Sequence, residues 1–232
     1  MMIRLIILDF GGTLAEGSID WDEYHSSIHR YLRGLGFNVD LNELKGAISA
    51  ALRLLERVRS REEELTLEEV YAHALSRLGI PDTPEMLEGI HGLFRRHFRT
   101  ELYPCVERTL ESLFRRYRLA VISNTMSDNP KVFLNQTGLI RYFDLVVCSR
   151  DLGIRKPNPM IFQYVLGRLG VEAKEAVHVG DEPETDLQGA QRTGIKAVLV
   201  DKEGRTHDWC GPTIRSICQL PEVIEELSKS DP

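Results

Sequence analysis

The 232-residue sequence predicts an α/β protein, a parallel β-sheet with helices on both faces into which one all-helical segment is inserted. Residues 3–8 form a short apolar run without polar alternation, the pattern of a strand buried on both faces. From about Trp21 to Arg99 the patterning is helical throughout. After Pro104 helices interleave with short apolar strands, and such alternation builds right-handed βαβ units and a parallel sheet.

The helical segment divides into four stretches. Trp21 to Leu35 stops at Gly36, and Leu41 to Arg61 carries Leu44, Ile48, Ala51, Leu52 and Leu55 at helical spacing. Thr66-Leu67-Glu68-Glu69 opens the third with a capping box, and Gly79 closes it. Thr83-Pro84 opens the fourth with proline at the first helical position, and Leu102-Tyr103-Pro104 ends it. Beyond it, helices are expected near 105–116, 129–137, 158–169, 186–193 and 220–228, and strands near 118–123, 144–148, 175–179 and 196–200.

Composition narrows the function. With 35 acidic against 29 basic residues and a net charge of −6, no overall positive field draws the chain to nucleic acid or anionic lipid, so a small diffusible partner is expected. Cys105, Cys148, Cys210 and Cys218 form no C-x-x-C pair and no zinc-ligand spacing with histidine, which fits a reducing cytoplasm. The run Leu5-Ile6-Ile7-Leu8 is too short for a signal core or a membrane span. One compact protein, monomeric or homodimeric, is the expectation.

In an open parallel sheet the ligand crevice lies beyond the carboxyl ends of the strands. Polar residues stand at four such ends: Asp9-Phe10-Gly11-Gly12-Thr13-Leu14, Ser123-Asn124-Thr125, Lys156-Pro157, and Gly180-Asp181 with Asp186 five residues on. The chemistry they suit is attack of a carboxylate on phosphorus, which needs the phosphate charge neutralised. Mg²⁺ on hard oxygen ligands does that, and Asp9, Asp181 and the carbonyl of Gly11 can supply such ligands. Lys156 as a point charge and Ser123 as a hydroxyl donor share the charge of the transition state. Each motif alone has a plainer reading: a strand-end Asp often caps a helix, Ser-Asn is commonly a turn, and Lys-Pro before a helix is usually solvated. Four in order at successive strand ends argue for a shared crevice.

These segments resemble the four motifs of the haloacid-dehalogenase-like superfamily, in its order. Ile140-Arg141-Tyr142-Phe143-Asp144, Arg155-Lys156-Pro157-Asn158-Pro159, and Val179-Gly180-Asp181 through Asp186-Leu187-Gln188-Gly189-Ala190 are similar to its phrases in and around those motifs. The resemblance implies a Rossmann-like core domain of residues 1–14 and 104–232. It also implies a helical cap domain of residues 15–103, of the branch that includes phosphoglycolate-phosphatase-like and haloacid-dehalogenase-like enzymes. On it, Asp9 is the nucleophile forming an aspartyl-phosphate, and Ser123 and Lys156 hold the phosphoryl group together with Gly12, Thr13 and Asn124. Mg²⁺ then sits on Asp9, Gly11 and Asp181, while Asp186 assists through a water or orients Lys156.

One position departs from that pattern. Where phosphatases of the superfamily carry a second Asp, the general acid and base, this chain has Gly11. A phosphatase favouring good leaving groups is therefore expected, with two alternatives open. One is a 2-haloacid dehalogenase, whose branch also lacks that Asp but works without metal, so that Asp181 argues for phosphoryl chemistry. The other is a binding protein weakened in turnover. His25 and His29 lie one helical turn apart and read as surface or substrate-rim residues, and His73, His91 and His97 read as structural because no carboxylate pattern around them suggests a metal site. Lys45 reads as an exposed helical lysine rather than a Schiff-base former, Arg95, Arg96 and Arg99 as a solvated face, and Glu182 either as support for Asp181 or as solvated.

Overall fold

Leu5–Leu8 forms strand β1, and all four of its side chains are buried, as its unalternating sequence requires of a central parallel strand. In the computed structural model, which describes residues 2–204 and 208–229, the other strands in chain order are β2 (Ala15–Ser18), β3 (Arg99–Leu102), β4 (Arg118–Ser123), β5 (Leu145–Cys148), β6 (Ala176–Gly180), β7 (Lys196–Val200) and β8 (Thr213–Ile214). The chain divides into two compact units, Met1–Glu16 with Glu101–Pro232, and Gly17–Thr100.

The first unit is built on a six-stranded sheet in the order β5-β4-β1-β6-β7-β8, parallel at every pairing. Leu8 stands opposite both Val121 and Val179, so β4 and β6 flank the same end of β1. Alternate side chains feed two cores. Ile6, Leu8, Leu119, Val121, Val177 and Val179 pack in one, and Leu5, Ile7, Ala120 and Ile122 in the other. β8 adds a strand that two residues were too short to announce. The helices of this unit lie near their expected places, and the last-turn carbonyls of the helix ending at Leu169 meet Gly170 in the left-handed region.

The second unit holds α1 (Trp21–Gly34), α2 (Leu41–Arg59), α3 (Leu67–Arg77) and α4 (Pro84–His97). The Thr66 capping box forms: Glu69 N–H donates to Thr66 Oγ1 at 3.1 Å, and Thr66 N–H donates to Glu69 Oε2 at 2.7 Å. The fourth helix ends earlier than the sequence suggested. Phe98 turns extended, and Arg99–Leu102 becomes β3, paired with β2 in a two-stranded sheet. The alternation of exposed and half-buried residues along Arg99–Leu102 is a strand pattern, but four residues are too few to separate it from a fraying helix.

In the first unit the remaining helices are α5 (Val106–Phe114), α6 (Asn129–Gln136), α7 (Pro159–Leu169), α8 (Gln188–Thr193) and α9 (Leu220–Lys229). A disulfide joins Cys105, which caps α5, to Cys218 across 113 residues of chain. The spacing of the cysteines gave no sign of it. No helix among the described residues is long and apolar enough to cross a membrane.

Candidate active site

From β1 the chain moves outward through β4 and β5 in one direction, then returns to place β6 on the other side of β1. Where the winding reverses, loops diverge and a crevice opens beyond the strand ends. Asp9 and Asp181 follow the two strands that border it.

Asp9 is held by its own N–H, which donates to Val179 O at 2.8 Å and extends the ladder one residue past β1. The chain then turns tightly: Leu14 N and Ala15 N both donate to Phe10 O, at 2.9 and 3.0 Å. Gly12, at φ +77°, is required there, since a Cβ on it would lie 2.0 Å from Asp181 Oδ2. Gly180 is equally constrained, because its Cβ would fall 2.2 Å from Asp186 Cγ.

At the centre, the fully buried ammonium of Lys156 donates to Asp9 Oδ1 at 2.5 Å, Asp186 Oδ1 at 2.6 Å and Ile122 O at 3.0 Å. Burial opposes its charge, yet Asp186 and Asp9 together hold its pKa above the usual lysine value. Asp9 is pushed up to about 7, by burial first, against the pull of Lys156 and with repulsion from Asp186 and Asp181. Asp181 is pushed up to about 6 by burial and by Asp186. Asp186 goes the other way: burial would raise it, but Lys156 and His178 outweigh burial and hold it below the ordinary carboxylate range.

Ser123 is the last residue of β4 and is buried. Thr13 is also buried, and its hydroxyl has no hydrogen-bond partner among the described residues. Asn124, expected on the substrate, is engaged elsewhere: its Nδ2 donates to Lys156 O at 2.9 Å and its Oδ1 accepts from Lys156 N at 2.8 Å. It clamps the lysine's main chain. Gly11 is exposed, and a Cβ on it would meet no atom within 4 Å.

Two groups escaped the sequence reading. His178 occupies the middle of β6, fully buried, with Nε2 2.8 Å from Asp186 Oδ1 and its ring edge-to-face with Phe162 at 5.1 Å. The signal was a lone imidazole within Ala-Val-His-Val-Gly, an apolar strand. Lys202, two residues past β7, donates to Gly12 O and, at 2.6 Å, to the hydroxyl of Tyr103.

Asp9, Asp181 and Asp186 offer carboxylate oxygens that all lie within 4.8 Å of one another. Three carboxylates against one ammonium, all with oxygen donors, suit a hard divalent cation such as Mg²⁺. Asp186 is the least available, because Lys156 and His178 occupy Oδ1 and Glu182 N–H occupies Oδ2 at 3.1 Å.

In the helical unit, Lys45 pairs with Asp22 at 2.5 Å and His29 Nε2 lies 2.9 Å from Val39 O. His91, expected to be structural, has a carboxylate beside it: Nδ1 lies 2.6 Å from Glu68 Oε1. The pair joins α3 to α4, a proximity that linear spacing does not reveal.

Over 143 residues the chain is 37% identical to the phosphoserine phosphatase of Thermus thermophilus, covering 61% of this chain and 57% of that one. It is 30% identical over 184 residues to the phosphoglycolate phosphatase of Aquifex aeolicus, covering 72% and 84%. It thus spans little more than half the length of the first of these relatives. Among solved structures, the 2-haloacid dehalogenase of Pseudomonas syringae pv. Tomato superposes with a TM-score of 0.74 at 29% identity, covering 97% of this chain and all of that one. Residues 6–200 match the model of the haloacid dehalogenase-like hydrolase family, and with the crevice, the buried Asp9–Lys156–Asp186 array and these likenesses together, the chain belongs to that family of hydrolases.

Proposed function

We propose that the protein is a Mg²⁺-dependent phosphatase of small phosphorylated metabolites, acting through an aspartyl-phosphate on Asp9. The observation that carries this is the grouping of Asp9, Asp181 and Asp186 about the single ammonium of Lys156 at the mouth of the switch-point crevice. A carboxylate at a strand end, backed by a fixed cation, is poised for in-line attack on phosphorus.

Asp9 attacks, the bond from phosphorus to the leaving oxygen breaks, and the leaving group takes the electron pair. Lys156 holds a phosphoryl oxygen, and the Ser123 hydroxyl donates to another. Water then attacks the aspartyl-phosphate, releasing phosphate and restoring the carboxylate. Asp9, Asp181 and the carbonyl of Gly11 would hold Mg²⁺, which when bound neutralises phosphate charge. Asp186 and His178 keep Lys156 in place. With glycine at 11, no carboxylic acid stands two residues beyond the nucleophile to protonate the departing oxygen, so substrates with good leaving groups are favoured. The helical residues 15–103 form the cap domain that selects substrates, and residues 1–14 and 104–232 carry the chemistry.

A second reading, hydrolysis of 2-haloacids by the same Asp9, is favoured by Gly11 and by the likeness to the Pseudomonas dehalogenase. A screen of phosphorylated metabolites and of 2-chloropropionate, with and without Mg²⁺, decides between them. Phosphate release that needs Mg²⁺ and vanishes in Asp9→Asn supports the first; chloride release indifferent to chelator supports the second. Phosphate release retained in Asp9→Asn sinks the mechanism.

A further inference from the structure

We propose that His178 is a positioning residue for Lys156, acting through Asp186, so that its Nε2–H keeps the ammonium in place while phosphorus is attacked. This rests on the phosphatase reading and adds a residue from outside the four motifs to that site.

The need arises from the donors of Lys156. All three N–H groups are engaged, on Asp9 Oδ1, Asp186 Oδ1 and Ile122 O. When Asp9 turns that oxygen to phosphorus, the N–H it held passes to a phosphoryl oxygen. Asp186 and Ile122 then hold the ammonium against the developing charge, where a misplacement of about 1 Å costs on the order of 100-fold in rate.

The two holders differ in what fixes them. Ile122 lies within β4, which is paired to β1 on one side and β5 on the other, so the sheet itself sets its carbonyl. Asp186 lies off the sheet in the turn Pro183–Leu187, and its carboxylate must be oriented by hydrogen bonds. Glu182 N–H donates to Oδ2 at 3.1 Å, but Glu182 accepts from Asp186 N–H in return and belongs to the same turn. His178 Nε2 lies 2.8 Å from Oδ1, and since Asp186 is held below the ordinary carboxylate range, its oxygen accepts and the imidazole donates.

His178 brings the rigidity of the sheet to that bond. It stands in the middle of β6, opposite Ile7 of β1 and Ala197 of β7, with its ring buried and edge-to-face with Phe162. Its neighbours Val177 and Val179 fill the core on the other face. An aliphatic residue would pack in its place without a partner, whereas a buried imidazole costs free energy unless it is hydrogen-bonded. The bond to Asp186 is therefore what histidine supplies at this position.

The test measures kcat and KM for p-nitrophenyl phosphate in wild type, His178→Leu, which fills the space without a donor, and His178→Gln, whose amide N–H reaches to where Nε2 lies. His178→Met takes the place of the leucine variant if that one does not fold. Expected in His178→Leu is a fall in kcat of about 10–100-fold with KM changed less than about threefold, because the lost constraint bears on the transition state. His178→Gln recovers most of kcat. An equal fall in both variants, an unchanged kcat in His178→Leu, or a loss confined to KM overturns the proposal. The ammonium resonance of Lys156, observable by NMR because the group is buried and hydrogen-bonded, is followed alongside without substrate. It should broaden or vanish in His178→Leu and persist in His178→Gln, and an identical resonance in all three proteins overturns the proposal. That signal needs no turnover, so a wild type that shows the expected pattern but releases no phosphate from any ester overturns the phosphatase reading and leaves His178 as the residue that positions Lys156.

Discussion

Gly11→Asp places a carboxylic acid two residues beyond the nucleophile, and the local structure accepts it. The φ angle of Gly11 lies outside the left-handed region, and a Cβ there meets no atom within 4 Å, so neither strain nor a clash resists the side chain. A carboxylate introduced beside Asp9, Asp181 and Asp186 feels their repulsion, which keeps its proton bound further toward neutrality than on a solvated Asp. General acid catalysis by such a group contributes about 10²–10⁴-fold, or about 3–5 kcal/mol of barrier. That gain is expected on alkyl phosphates, whose leaving oxygens need a proton. On acyl phosphates and p-nitrophenyl phosphate the gain should be small. The assay is the dependence of turnover on leaving-group pKa in both proteins, with rapid-quench detection of the wild-type aspartyl-phosphate, which should accumulate as a burst because the attacking water also lacks a base. If wild type already shows the shallow slope of Gly11→Asp and no burst, the reasoning fails, and Glu16, held by Tyr103, becomes the group to test.

Two stability predictions follow from the same structure. Asp9 and Asp181, which burial raises to about 7 and about 6, hold protons that the unfolded chain releases at its ordinary value of 3.8. Their stabilisation is complete below about pH 4 and is lost as pH rises through those folded values, so in EDTA the Tm should fall between about pH 4 and pH 7 and level off above it, and Mg²⁺ should flatten that fall. A Tm in EDTA that is constant or rising over this interval contradicts the charge imbalance at the site. Cys105–Cys218 closes a loop of 113 residues, so Cys105→Ser with Cys218→Ser should cost about 2–5 kcal/mol and lower the Tm by roughly 5–15 °C. Equal melting of oxidised wild type and the double variant would show that the bridge does not restrict the unfolded chain. Cys148, whose thiol burial pushes up to about 12, should stay unlabelled by thiol reagents in the native protein.

The fold was legible wherever an element is long enough to show its period. β1 reads as a strand because Leu5, Ile6, Ile7 and Leu8 are all apolar, and α3 reads to within a residue or two because Thr66 and Glu69 cap it reciprocally. β8 has two residues, and β3 four that directly follow a helix; neither carries enough sequence for a period to emerge. Their pairing depends on which strand edge lies nearby, a property of the folded chain.

For the site, topology explains both what was legible and what was not. In a parallel sheet the carboxyl ends of the strands share one edge, so Asp9, Ser123 and Asp181 stand at the ends of the neighbouring strands β1, β4 and β6, while Lys156, eight residues past β5, reaches Asp9 from the loop before α7. Asn124 sits at such an end too, but its amide serves the main chain of Lys156, a partner 32 residues away that proximity to Ser123 does not suggest. His178 points off the middle of its strand and acts through Asp186, and Lys202 reaches Tyr103 across 99 residues and Gly12 across 190. What the linear chain conceals is therefore charge balance. Counting side chains gives three acids and one lysine in the motifs, whereas the fold commits one acid, Asp186, to Lys156 and His178 and brings a second cation, Lys202, close enough to act on Asp181. That redistribution leaves Asp181 as the carboxylate of the three that Lys156 does not engage, with the charge of Lys202 acting on it from the next strand end.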